Sequence, residues 1–151
     1  MVDANPYGTA VRGLRGYLRQ ICQAMAVGPE ASCWDLDEVA TAYVALEGRL
    51  PGYPNHDLAL IWDEENGWAA ALENTTGEDL IVLSYLGIDV LPPPRQVSAF
   101  VAELRADRYP GQPEPPELRV AFADDGLEAR LSGYASAIPN QPLTGAERRQ
   151  G

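Results

Sequence analysis

The sequence predicts an α+β fold: a four-stranded antiparallel meander sheet packed by an N-terminal helix and by a helix after the sheet, with a short C-terminal helix and a disordered tail. Three observations carry this. Residues 57–86 hold apolar runs of strand length and two of the three tryptophans. Asn66-Gly67 is a strong hairpin signal, because both residues accept positive φ at little steric cost. The flanks of this stretch carry apolar residues at the helical period.

The first flank is residues 9–27. Val11, Leu14, Leu18, Ile21, Cys22 and Met25 form a 3.6-residue stripe, Thr9 stands at the N-cap position, and Gly28-Pro29 stops the helix. Gly13 and Gly16 lower its intrinsic propensity. Arg12, Arg15 and Arg19 make a second stripe away from the apolar one. A solvated face is the ordinary reading of such a stripe; a docking site for an acidic partner or a second copy is the functional one.

Residues 29–38 read as a loop, with Trp34 capping the core. Thr41 to Leu46 alternates as a first strand, and the proline-rich residues 48–54 lead to Asn55-His56. Around Asn66-Gly67 two registers compete. A two-residue loop would put Trp62 and Trp68 on opposite faces. A three-residue loop of Glu65, Asn66 and Gly67 pairs Glu64 with Trp68, and collects Leu58, Leu60, Trp62, Trp68, Ala70 and Leu72 on one face with Ala59, Asp63 and Glu73 on the other. The register that gathers the large apolar groups is expected to win.

Thr75-Thr76-Gly77-Glu78 turns the chain into residues 80–86, apolar on both faces as in an interior strand. Pro92-Pro93-Pro94 delivers it to a second amphipathic helix with Val97, Phe100, Val101 and Leu104 on one side. Residues 109–116 are proline-dense, 118–122 offer a short edge strand, and Asp124 or Asp125 caps a third helix carrying Leu127, Leu131 and Tyr134. From residue 139 there is too little apolar surface to pack. The organisation expected is one domain over 9–137 with flexible termini at 1–8 and 139–151.

Composition narrows the function. Formal charge is −11 with a pI near 4.4, and every basic residue among the 151 is arginine. That field repels a phosphate backbone, so nucleic acid is not an expected partner. No apolar leader follows Met1 and no stretch approaches a membrane span, so a cytoplasmic chain without a membrane partner is expected. Cys22 and Cys33 form no CxxC, and Cys22 falls on the apolar stripe as a buried thiol. A single histidine argues against a His-based metal site, and no cofactor motif is present.

The blocks ASCWDLDEVATAYVALEGRLPGYP, DLALIWDEENGWAAALE and EDLIVLSYLGIDVLPPPRQVSAFVAELR resemble a family of actinobacterial proteins known as a domain of unknown function, over about residues 13–105. The resemblance implies one conserved domain and no activity. Its signature positions are Cys33, Trp34, Gly52, Trp62, Asp63, Gly67, Trp68 and Pro92 to Pro94. At fold level alone the element order is similar to small secretion-chaperone-like proteins, many of them homodimers that bind protein segments.

Asp63, Glu64 and Glu65 beside Trp62 and Trp68 form the one tempting cluster, since carboxylates flanked by aromatics can hold a sugar or a divalent cation. Solvated acids at a hairpin tip are the plainer reading. Two functional expectations follow. The first is a non-enzymatic interaction or regulatory module, homodimeric, whose partner is protein and which binds through the sheet face or through Arg12, Arg15 and Arg19. The second is a small-ligand binder or enzyme with a pocket rimmed by Trp34, Tyr53, His56, Trp62 and Asp63.

Overall fold

The computed structural model describes residues 6–36, 39–74, 79–121, 123 and 125–136. The chain forms an α+β fold in two compact units: Ile21–Ala123, and Met1–Gln20 together with Asp124–Gly151.

The larger unit is built on one antiparallel sheet of five strands in chain order: β1 Ser32–Asp35, β2 Thr41–Ala45, β3 Asp57–Asp63, β4 Gly67–Glu73 and β5 Leu80–Tyr85. The sheet therefore has five strands rather than the expected four. The extra one is β1, which lies in the stretch read as a loop. Ser-Cys-Trp-Asp has no apolar–polar alternation to announce a strand; it becomes one by pairing Ser32 with Val44 and Asp35 with Thr41 along the free edge of β2. Trp34 consequently sits on an edge strand and is 38% exposed, instead of capping the core.

The β3–β4 hairpin differs in register while keeping its faces. Trp62 pairs with Trp68 and Asp63 with Gly67, so the loop is Glu64, Glu65 and Asn66. Asp63 selects it: its Oδ1 accepts from the backbone N–H of Glu65 at 2.8 Å and of Asn66 at 2.7 Å. The shift relative to the expected pairing is two residues, which preserves side-chain parity. Leu58, Leu60, Trp62, Trp68, Ala70 and Leu72 accordingly share one buried face. Trp62 donates its indole N–H to the Val90 carbonyl at 2.6 Å, so the segment leading to the next helix crosses this face.

β5 is an edge strand, against the expectation of an interior one. A bulge between Ala70 and Ala71 interrupts its alternation, and Leu80 and Ile81 are about half exposed. Only its far end finds a further partner, where Tyr85 and Gln112 exchange backbone hydrogen bonds of 2.7 and 3.0 Å. Residues 118–121 form no strand. α2 spans Pro94–Arg105 and buries Val97, Phe100, Val101 and Leu104, the expected stripe. Its Ser98 hydroxyl donates to the Ala24 carbonyl at 3.5 Å.

The smaller unit holds most of α1 (Pro6–Met25) and α3 (Leu127–Ser136). α1 begins three residues before the expected Thr9. Leu14, Tyr17 and Leu18 on it are buried. The two helices approach closely at Gly13, where a Cβ would collide with the Leu131 carbonyl oxygen. Tyr17 meets Tyr134 edge-on at 4.7 Å between ring centroids. Gly13, a liability for helix propensity, is thus the residue that permits the contact. Asp125 Oδ1 accepts from the Leu127 N–H at 3.3 Å and so satisfies one of the free donors at the start of α3, one residue before its N-cap Gly126. Of the expected flexible lead 1–8, residues 6–8 belong to α1 and 1–5 lie outside the described residues, as do the turn 75–78, Phe122, Asp124 and the tail 139–151.

Candidate functional site

Alternation along the strands gives the sheet a second face, opposite the tryptophans. Its rows follow from the register. One is Cys33, Tyr43, Ile61, Ala69 and Tyr85; the next toward the hairpin tip is Asp35, Thr41, Asp63 and Gly67; on the other side lie Ala45, Ala59, Ala71 and Val82. The alanines on β3 and β4 are fully buried, while Tyr43, Ile61, Val82 and Tyr85 keep part of their surface in solvent.

Toward the hairpin tip this face carries a groove of about 440 Å³. Most of its lining belongs to this face: Cys33, Asp35, Thr41, Tyr43, Ile61, Asp63, Gly67, Leu80 and Tyr85, adjoined by Trp34, Ala42 and Trp62. Its volume is that of a side-chain or small-ligand site. Tyr43 and Tyr85 stand three strands apart, about 14 Å by strand spacing. Asp35 and Asp63 flank Thr41 at one end, about 10 Å from each other by the same measure. Among the described residues no lysine, arginine or histidine lines the groove.

Both tyrosines are held protonated. Burial, followed by the hydrogen bond that its hydroxyl donates to Glu73, pushes the Tyr43 phenol well above its usual value. Burial and then the nearby Asp63 carboxylate raise Tyr85. Neither is poised as a base near neutral pH. Cys33 is an exposed thiol and Cys22 a buried one.

The acidic tip proves to be structural. Glu64 is buried and pairs with Arg119 at 2.7 Å, and its other carboxylate oxygen accepts from the Ala40 N–H at 2.7 Å. Arg119 also donates to the Glu64 carbonyl at 3.2 Å and to the Ala123 carbonyl at 2.9 Å. Glu65 accepts from the Leu118 N–H through its carbonyl and from the Ala121 N–H through its side chain. Asn66 donates to the Pro116 carbonyl at 2.7 Å. These acids bind the hairpin to the segment after α2; among the described residues no group of His, Cys, Asp and Glu is arranged to hold a metal ion.

The sequence-predicted site residues separate. Trp34, Trp62 and Asp63 border the groove, although the Trp62 ring faces the core. Trp68 is fully buried beside Trp62, at 6.5 Å between centroids. Tyr53 and His56 lie at the opposite end of β3, about 20 Å from Asp63 by strand length. There His56 meets Tyr53 edge-on, its Nδ1 buried with no hydrogen-bond partner among the described residues, and Asp57 pairs with Arg49 at 3.1 Å. Arg12, Arg15 and Arg19 are all exposed on α1. The sequence reading missed Asp35, Thr41, Tyr43, Ile61 and Tyr85. The signal available was their strand parity, opposite to Trp62; the register between β2 and β3 was hidden by the long connection.

The family profile described as "Family of unknown function (DUF6292)" matches residues 17–103, more than half of the chain. The chain belongs to this family of unknown function. The DUF6292 span contains all five strands and nearly all of α2, hence the whole groove; it stops short of Arg119 and α3. No curated protein and no solved structure matches the chain. Among the described residues no helix is long and apolar enough to cross a membrane.

Proposed function

We propose that this DUF6292 protein is a non-enzymatic, cytoplasmic interaction module that docks a partner polypeptide on the groove-bearing face of its sheet. One observation carries the reading: a groove of about 440 Å³ lined by the partly exposed Tyr43, Ile61 and Tyr85 together with the exposed Leu80. Apolar surface held at the rim of a depression is the form of a site that receives side chains. The groove's own groups favour binding over chemistry, because its tyrosines are held protonated and its Asp63 is engaged in the turn.

A homodimer is the assembly we expect, with Arg12, Arg15 and Arg19 as a second candidate surface. Native mass spectrometry of the full chain purified from its own host tests these statements together. A co-purifying polypeptide that is lost on Ile61→Arg and retained on charge reversal of the three arginines supports docking on the sheet. The reverse pattern moves the site to α1. A bound small mass in place of a polypeptide overturns the reading in favour of a ligand pocket, which the groove's volume also suits.

A further inference from the structure

Resting on the groove reading, we infer that its occupant is a cationic, apolar polypeptide segment: an arginine or lysine placed beside a large apolar side chain. The argument is one of complementarity. One end of the groove carries two carboxylates, Asp35 and Asp63, on either side of the exposed Thr41. The walls beyond are the rings of Tyr43 and Tyr85 with Ile61 between them. Among the described residues no basic side chain lines any part of it.

An anionic segment entering there would bring its charge against carboxylates of the same sign. A cation would be attracted twice. The carboxylates attract it by their charge, and the negative faces of neutral aromatic rings attract guanidinium and ammonium groups. The overall charge of −11 adds a long-range field of the same sign, which speeds the encounter with a basic partner and weakens with salt. Ile61 and Leu80 supply the apolar contact that a bare cation would not use. A polypeptide segment satisfies both ends at once, with the basic group beside Thr41 and the apolar one over Ile61.

Three probes separate the possibilities on the full-length protein: the blocked tetrapeptides Arg-Leu-Leu-Arg and Glu-Leu-Leu-Glu, and arginine amide alone. Binding is followed by amide chemical shifts in a ¹⁵N-labelled sample at low and at physiological salt. The basic peptide is expected to shift the amides of Thr41, Tyr43, Ile61 and Asp63, roughly tenfold more tightly than the acidic one. Thr41→Lys should abolish that preference, whereas Gln23→Lys, the same charge change on an exposed helix position away from the groove, should not. If Thr41→Lys does not fold, Asp35→Asn replaces it. Equal affinity for the two peptides on the same amides overturns the cationic occupant and leaves the groove reading standing. Arginine amide matching the basic peptide overturns the polypeptide in favour of a small organic cation. Shifts confined to α1, or none with any probe, overturn the inference together with the groove reading.

Discussion

Glu64 and Arg119 face one another at 2.7 Å with both side chains almost excluded from water, and their 55-residue separation makes this contact a clasp between the hairpin tip and the segment that follows α2. Each partner is further satisfied by backbone groups, the carboxylate by the Ala40 N–H and the guanidinium by the carbonyls of Glu64 and Ala123. Removing one member leaves a charge stranded in a dry site. Arg119→Ala should therefore lower stability by about 3 kcal/mol. Urea unfolding followed by tryptophan fluorescence measures it; a loss no larger than that of an exposed arginine would mean the pair is hydrated in solution.

Two glycines on facing helices should respond with opposite signs. Gly13→Ala gains helix propensity but places a methyl group into the Leu131 carbonyl, and Gly133→Ala meets nothing within 4 Å. The second change should stabilise the protein by about 0.5–1 kcal/mol. For the first, the collision is with backbone and cannot be relieved by a rotamer change, so the thermal midpoint should fall. Equal effects at the two positions would place α3 elsewhere in solution.

Ile88 occupies φ +65 while 76% exposed, at the centre of a tight turn in which the Asp89 N–H reaches the Gly87 carbonyl at 2.7 Å. A β-branched side chain is strained there, and its exposure means that little packing compensates. Ile88→Asn should raise stability by about 1 kcal/mol. A decrease would show that Ile88 is packed against something in solution.

The partly buried phenol of Tyr43 gives the fold an alkaline limit. Its folded pKa is raised, by burial first and then by the hydrogen bond to Glu73. Folding thus favours the protonated phenol, and this contribution is fully present below the unfolded tyrosine value of about 10. It declines as pH rises through that value toward the higher folded one. Absorbance at 295 nm should show a tyrosine that resists ionisation until the protein unfolds, and Tyr43→Phe should remove that late component. Titration of every tyrosine near pH 10 would sink the assignment.

Gly67 tests the packing of the hairpin. It lies at φ +74, and a Cβ there would stand 3.1 Å from Leu118 and 3.2 Å from the Asp89 carbonyl. Gly67→Ala combines backbone strain with crowding and should cost about 2 kcal/mol. Chemical denaturation reads the loss directly, and a neutral result would show that the 118 segment yields.

The amino-acid sequence by itself determined which side chains share a face. Period-2 alternation put Leu58, Leu60, Trp62, Trp68, Ala70 and Leu72 together, and that assignment survived a register two residues away from the expected one because such a shift conserves parity. The stripe of α2 was equally legible, since apolar residues at i, i+3, i+4 and i+7 leave one face to bury. Tertiary structure decided what depends on distant neighbours. β1 is a strand only because β2 presents an unpaired edge beside it, and no residue within Ser32–Asp35 encodes that partner. β5 lies at the edge because nothing pairs beyond it along most of its length, a property of the sheet and not of its apolar composition. The groove follows the same rule. Cys33, Tyr43, Ile61 and Tyr85 come from four strands, and they meet because cross-strand registers, set by hydrogen bonds between segments far apart in the chain, bring them into one row.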